Sequence, residues 1–163
     1  MEGNRSKPRV LLVFGAPCSG KTTFAEKFAK KFNLTYYNLE EIANTENLLQ
    51  AGLLDILTLI ARTHATVVLE GCIDTEKDRA EIRNIFRAAG YEPSLIWIQT
   101  DLNTIKLRLR SRFKTVSAAK QAYEDAINRL EAPSEVEAPI ILSGKHTFET
   151  QTKHVLAGLA DVN

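Results

Sequence analysis

One short stretch near the start of the chain combines the residue types and spacing that bind phosphate. It consists of Gly15-Ala16-Pro17-Cys18-Ser19-Gly20-Lys21-Thr22-Thr23. The run fits the pattern G-x-x-x-x-G-K-[ST], in which two glycines let the backbone curl so that its N–H groups surround an anion. Lys21 would place a positive charge on the β and γ phosphates of a nucleotide. The Thr22 hydroxyl would be a ligand of Mg²⁺, which prefers hard oxygen donors.

Two further carboxylates are candidates for phosphoryl transfer, which depends mainly on positioning and charge neutralisation. Glu70 ends an apolar segment, where we expect an acidic residue to hold Mg²⁺ or its water; a solvated charge at a strand end is the alternative. Glu40 follows a second short strand and would accept the proton of an acceptor hydroxyl. The alternative for Glu40 and its neighbour Glu41 is a pair of acids that complements a helix N-terminus.

Arginines at helical spacing form a third group of candidates. In a basic run from Lys106 to Lys114, Arg108 and Arg112 lie one helical turn apart and would act together on phosphate oxygens. A mobile lid that carries such arginines would close over the phosphates. The alternative is a solvated basic face, which is an adequate interpretation of Lys106, Arg110 and Lys114. Arg79 and Arg83 have the same spacing. We interpret them as a surface pair, with contact to an anionic acceptor as the alternative.

Apolar runs and helical stripes alternate along the chain, and this alternation predicts the elements that position these residues. We expect strands at 9–14, 34–38, 66–71, 93–100 and 140–143. We expect helices at 23–32, 39–42, 46–60, 75–89, 102–113 and 117–132 and after Thr147, with a polar linker at 133–139. Their predicted N-caps are Thr45, Asp74, Thr100 or Asp101, Ser117, and Thr147. Such alternation implies right-handed crossovers and a parallel sheet covered on both faces.

The fold class predicted is therefore α/β, a three-layer α/β/α P-loop NTPase fold with a five-stranded parallel sheet. Ligands of such sheets bind at the carboxyl ends of the strands, where we expect the phosphate loop and residues 38–41, 70–74 and 99–101 to lie. The 163 residues suggest one domain at 9–163 after a short lead-in at 1–8. A net charge of +1 gives no global basic field for nucleic acid. Without a signal peptide or an apolar run of about 18 residues, we expect a cytoplasmic protein with no membrane partner.

Three segments carry a resemblance to a known group of proteins. Residues 15–23 are similar to the phosphate loop of the adenylate-kinase-like and polynucleotide-kinase-like P-loop kinases, and residues 100–112 resemble their strand-to-lid segment. Residues 39–42 resemble the Ser-Asp-Glu-Ile segment of the AAA_33-type kinases, which places Glu40 where that family keeps a candidate catalytic Asp. The resemblance implies ATP and Mg²⁺ as cofactors and transfer of the γ-phosphoryl group to a hydroxyl or a phosphate.

Departures from related families narrow the function. Residues 69–74 lack the Phe-Pro-Arg-like run of nucleoside monophosphate kinases, and the sequence has neither an Asn-Lys-x-Asp motif nor a Leu-Ser-Gly-Gly-Gln motif. These absences count against an AMP kinase, a GTPase and a transporter ATPase. We expect an ATP-dependent kinase of a small hydroxyl-bearing or phosphorylated acceptor. The alternatives are a nucleotide-binding regulatory module with little or no turnover, and a nucleic-acid 5′-hydroxyl kinase, which we do not favour.

Overall fold

The computed structural model describes residues 7–45 and 50–161, and all structural statements refer to these ranges. They contain five strands, seven α-helices and one short 3₁₀-helix. In chain order the elements are β1 (Arg9–Gly15), α1 (Lys21–Phe32), β2 (Thr35–Asn38), α2 (Leu39–Thr45), α3 (Gln50–Ala61), β3 (Val67–Glu70), α4 (Glu76–Ala88), β4 (Glu92–Gln99), α5 (Leu102–Arg112), α6 (Val116–Arg129), the 3₁₀-helix (Glu135–Glu137), β5 (Ile140–Ser143) and α7 (Phe148–Ala160).

The five strands form one parallel sheet in the order β2-β3-β1-β4-β5. β1 lies at the centre, and its residues from Val10 to Gly15 are buried, as expected for a continuous apolar run covered on both faces. In the β1–β3 register, Val13 pairs with Glu70. The carboxyl end of β3 therefore lies beside the point where the chain leaves β1 for the phosphate loop.

Helices cover both faces of the sheet, so the predicted three-layer α/β/α architecture is confirmed. On one face, Phe24 and Phe28 of α1 pack with Val155 of α7 against the strands. On the other face, Leu57 of α3 and Phe86 of α4 belong to the larger core. No helix in the described ranges combines the length and the apolar character that crossing a bilayer requires.

The predicted helix starts are right for two helices and wrong for two. Asp101 and Thr147 cap α5 and α7 as expected. The cap of α4 is Thr75, not Asp74, because the Thr75 hydroxyl accepts the Asp78 N–H at 3.1 Å. The cap of α6 is Thr115, not Ser117, since Thr115 Oγ1 accepts a hydrogen bond from the N–H of Ala118. The helix predicted at 46–60 is described from Gln50 onward, and its first four residues lie outside the described residues, as does any contact of Thr45 with them.

The interpretation of Arg79 as a surface residue is wrong. Its side chain has no exposed area and forms an ion pair with Glu137, which is 9% exposed and lies in the segment predicted as a polar linker. Two parallel hydrogen bonds, of 2.8 and 3.0 Å, join the guanidinium to the carboxylate. Its central carbon lies 4.7 Å from the centre of the Phe14 ring. Pairing and stacking together make burial of this charge tolerable. Arg79 is therefore neither a surface residue nor free to contact an acceptor.

Candidate functional site

The phosphate loop is a tight turn between β1 and α1. Cys18 and Gly20 have φ values of +59° and +104°, and the Ser19 N–H donates to the Ala16 carbonyl at 3.1 Å. A Cβ at Gly20 would have room, so conformation rather than space favours glycine there. The N–H groups of the first turn of α1 have no partner within the helix. Together with the helix dipole they provide a cradle for phosphate at the start of α1.

The ends of β4 and β5 hold this loop in place. Thr100 Oγ1 donates to the Ser19 carbonyl at 2.9 Å, and the Gly144 N–H donates to the Gln99 carbonyl at 2.7 Å. A Cβ on Gly144 would overlap both Thr100 Oγ1 and the Ser19 carbonyl oxygen. Close contact with the loop therefore requires glycine at 144. The sequence does not reveal this role, because nothing in the local pattern shows that residue 144 meets residue 19.

Thr22, Glu70 and Tyr36 form a hydrogen-bonded chain beside the loop. The Thr22 hydroxyl donates to Glu70 Oε1 at 2.5 Å, and the Tyr36 hydroxyl donates to Glu70 Oε2 at 2.8 Å. Burial, the hydrogen bond to Glu70 and the Glu70 charge raise the pKa of Tyr36 well above its ordinary value. The phenol therefore stays protonated and fixes the carboxylate, which is only 3% exposed. We did not predict this contact, because it depends on the pairing of β2 with β3, which places Tyr36 next to the strand that carries Glu70.

The chemistry of Thr22 and Glu70 fits a bound Mg²⁺. A hydroxyl and a carboxylate offer hard oxygen atoms next to the phosphate cradle, and Mg²⁺ in nucleotide sites typically takes one or two protein ligands and keeps several waters. A site of this kind needs no larger cluster of carboxylate, histidine or cysteine ligands, and residues 7–45 and 50–161 contain none. The metal-ligand roles of Thr22 and Glu70 remain predictions.

A second group of carboxylates lies in the β3–α4 connection and at the start of α2. Asp74 is only partly exposed and lies within electrostatic reach of Lys21, Glu40 and Asp78. Burial raises the pKa of Asp74; the charges of Lys21 and Arg129 oppose this shift, and those of Glu40 and Asp78 add to it. The structure thus places Asp74, which the sequence suggested only as a helix cap, within electrostatic reach of both Lys21 and Glu40.

Glu40 itself is exposed at the first turn of α2. Gly71 fits tightly beneath it, since a Cβ there would lie 2.8 Å from the Glu40 backbone nitrogen. The Glu41 N–H donates to Asn38 Oδ1 at 3.1 Å, so this turn is closed by Asn38. The helix-end alternative for both acids agrees with their place in the first turn of α2, and the catalytic role of Glu40 stays a prediction.

Arg108 and Arg112, the two arginines predicted to belong to a lid, lie on α5. Arg108 donates from Nη1 to the Cys18 carbonyl at 2.9 Å and from Nη2 to the Gly144 carbonyl at 3.2 Å. Arg112 is exposed at the end of α5. Both line a cavity of about 450 Å³ that borders Gly20. The structure therefore places both arginines beside the phosphate loop, and their contact with phosphate remains a prediction.

Comparison with solved structures shows which fold this arrangement belongs to. A sugar kinase from Janibacter sp. HTCC2649 has a TM-score of 0.67 at 20% identity, covering 95% of each chain. The Mycobacterium tuberculosis APS kinase CysC, in complex with AMPPNP and APS, has a TM-score of 0.65 at 16% identity, covering 94% of this chain and 97% of the other. Kti12 from Chaetomium thermophilum, in complex with ADP-AlF3, has a TM-score of 0.69 at 16% identity, covering 94% and 98%.

These likenesses are too distant in sequence to show more than the fold. No curated protein sequence matches the chain significantly. The AAA_33 family model, described as an AAA domain, matches residues 10–136, which include the phosphate loop, Glu70 and both lid arginines. The chain therefore belongs to the AAA_33 family and has the fold of the P-loop kinases.

Proposed function

We propose that the protein is an ATP-dependent kinase that transfers the γ-phosphoryl group of ATP to a small acceptor. The observation that carries this proposal is the arrangement around Lys21. Lys21 precedes Thr22, whose hydroxyl binds Glu70, and the charge of Lys21 reaches Asp74, which is itself within electrostatic reach of Glu40. The AMPPNP and ADP-AlF3 bound to two structural relatives support a nucleotide ligand.

ATP would be bound through its phosphates. The loop N–H groups and Lys21 neutralise the phosphate oxygens, and the cavity of about 450 Å³ next to Gly20 is large enough for part of the nucleotide. A Mg²⁺ ion held by Thr22 and Glu70 would supply further positive charge to the phosphates. Arg108 and Arg112 border the same cavity, where a guanidinium makes paired contacts with phosphate oxygens.

The hydroxyl oxygen of the acceptor would attack the γ-phosphorus, the bond from that phosphorus to the bridging oxygen would break, and ADP would leave. The hydroxyl proton needs a carboxylate that is free to accept it. Both oxygens of Glu70 already accept hydrogen bonds, from Thr22 and Tyr36, so Glu70 suits the metal rather than the proton. Glu40 and Asp74 are the two candidates for the base. Burial raises the pKa of Asp74, so Asp74 is more basic than an ordinary aspartate.

The test is acceptor-dependent release of ADP, measured beside ATP binding. Lys21→Ala should reduce turnover at least about a hundredfold, as expected for loss of a charge that stabilises the transition state. Lys30→Ala is the matched control, because Lys30 is an exposed lysine in the last turn of the same helix. Separate Glu40→Gln and Asp74→Asn variants should show which carboxylate takes the proton. A folded Lys21→Ala protein with wild-type turnover would disprove the proposal.

A further inference from the structure

A cavity of about 260 Å³ lies between α2, α3 and α4, separate from the cavity that borders the phosphate loop. Apolar side chains of Leu53, Leu54 and Ile82 line part of it. Cys72, Asp78 and Glu81 line the rest, and the Gln50 amide donates to Glu81 at 3.0 Å. Its volume is close to the lower end of ligand pockets, about 300 Å³. The mixture of apolar and polar side chains suits a small molecule with one hydrophobic face.

The cavity lies beside the predicted reaction centre. Cys72 follows Glu70 by two residues at the carboxyl end of β3. Gly71, which directly precedes Cys72, packs against the first turn of α2, where a Cβ on Gly71 would lie 2.8 Å from the Glu40 backbone nitrogen. One wall of the cavity is therefore close to Glu40, a candidate for the group that would receive the proton of the acceptor.

The acceptor side of the molecule has few cations besides Lys21 and Arg129, whose charges reach Asp74 and which do not line the cavity. The sequence contains no Lys or Arg between Lys31 and Arg62, a range that includes all of α2 and α3. On α4, Arg79 and Arg83 both bind Glu137. Lys77 lies 4.0 Å from Glu81 and is largely exposed. The described side chains that line the cavity include two carboxylates and no cation.

We propose that this cavity binds the acceptor, and that the acceptor is a neutral or cationic hydroxyl compound, such as a polyol or an amino sugar, not a phosphorylated or carboxylated one. This inference rests on the proposed function and narrows it. An anionic acceptor would bring its charge close to Asp78, Glu81 and the phosphates of ATP, with no cation lining the described part of the cavity to neutralise it. A neutral or positively charged acceptor avoids this repulsion. The same argument excludes the phosphorylated acceptor that the sequence left open, and a nucleic-acid end.

The charge of the cavity can be measured without any turnover. Cys72 would be labelled with two methanethiosulfonates of similar size, one bearing trimethylammonium and one bearing sulfonate, and Cys72 and Cys18 would be resolved by mass spectrometry. After normalisation to a free thiol, the cationic reagent should react at Cys72 about tenfold faster than the anionic one, because focused charge concentrates counter-ions. The Asp78→Asn/Glu81→Gln variant should bring the ratio close to one. A wild-type ratio of one or below would overturn the inference.

The acceptor class is tested by ADP release with four matched compounds: a polyol, an amino sugar, a sugar acid and a sugar phosphate. The polyol or the amino sugar should have a kcat/KM at least about tenfold above that of either anion, and Asp78→Asn/Glu81→Gln should reduce this preference. Best turnover with an anion would overturn the inference and leave the kinase proposal intact. Failure of all four would count against the proposed function, and the ratio at Cys72 would still decide the charge of the cavity.

Discussion

Replacement of Arg79 by Met should strongly destabilise the protein. Arg79 is fully buried, and it donates to both oxygens of Glu137 and to the carbonyls of Ile73, Asp74 and Glu131, at distances between 2.8 and 3.3 Å. Met keeps the apolar stem that packs near Phe14 but removes the charge and all five hydrogen bonds. Glu137 would then be a buried carboxylate that has lost its main partner.

Loss of one partner from a buried ion pair costs about 3–5 kcal/mol. We expect Arg79→Met to lower the free energy of unfolding by about 3 kcal/mol, the lower end of this range, because Arg83 Nη1 still lies 3.3 Å from Glu137 Oε1 and neutralises part of the charge. A loss of this size is a large part of the 5–15 kcal/mol that typically separates folded from unfolded domains. The double variant Arg79→Met/Glu137→Met should recover about half of the loss or more, because two apolar side chains of similar volume leave no buried charge unpaired.

Urea unfolding of the four proteins in this double-mutant cycle gives the free energies. Arg87→Met is the matched control, because it makes the same change on the exposed side of the same helix, and it should shift stability by less than about 0.5 kcal/mol. The reasoning would be refuted by an Arg79→Met protein whose free energy of unfolding is within about 1 kcal/mol of wild type. It would also be refuted if the double variant lost more free energy of unfolding than the two single variants lose together.

The same pair predicts a pH dependence of stability. Burial opposes ionisation of Glu137, but the hydrogen bonds from Arg79 and the Ser134 N–H and the charges of Arg79 and Arg83 outweigh it, so that the pKa of Glu137 is lowered. Its stabilisation is then fully present above the unfolded-state pKa of about 4.3 and is lost as the pH falls to the folded-state pKa. Arg79→Met should flatten this acid limb when urea unfolding is repeated from pH 7 downward.

Two further substitutions test the phosphate and metal sites. Tyr36→Phe removes the hydrogen bond that orients Glu70, so Mg²⁺-dependent ATP binding should weaken by about tenfold or more, as for outer-shell partners of metal ligands. Tyr37→Phe on the same strand should not change it, and equal Mg²⁺ dependence of the two variants would contradict the assigned role of Tyr36. Gly144→Ala places a methyl group against Thr100 and Ser19 and should weaken ATP binding measured by titration. Gly90→Ala has open space around it and should leave that binding unchanged, although its φ of +84° costs about 1–2 kcal/mol of stability.

The sequence predicted the architecture well because local patterns carry it. The apolar run of β1, the glycine spacing of the loop and the phenylalanines of α1 each imply their own conformation, and strand–helix alternation then leaves a parallel sheet as the consistent arrangement. The placement of the phosphate loop and Glu70 at one edge of the sheet followed from this. What failed was the choice between neighbouring caps, such as Asp74 and Thr75, which depends on which of two adjacent side chains reaches one backbone N–H.

Contacts between distant segments could not be predicted. Tyr36 meets Glu70 only because β2 pairs with β3 in one register, and Gly144 meets Ser19 only because two loops converge at the carboxyl edge of the sheet. A tyrosine in a short strand and a glycine after a strand both have ordinary local explanations. Motif spacing, hydrophobic periodicity and residue propensities therefore identified the residues that define the family motif. The residues that hold this motif in position became visible only with the tertiary structure.

Arg79 shows why this difference matters for function. Its guanidinium binds the carbonyls of Ile73 and Asp74, in the connection from β3 to α4, and also Glu131 and Glu137, in the segment that leads from α6 to β5. One buried side chain thus fixes both the loop that carries Asp74, a candidate base under the proposed function, and the segment that follows α6. An arginine one turn from another on a helix suggests a surface pair or a phosphate contact. In this protein the buried charge holds the backbone at Asp74, so under the proposed function the position of this candidate base depends on a residue that has no part in binding ATP or the acceptor.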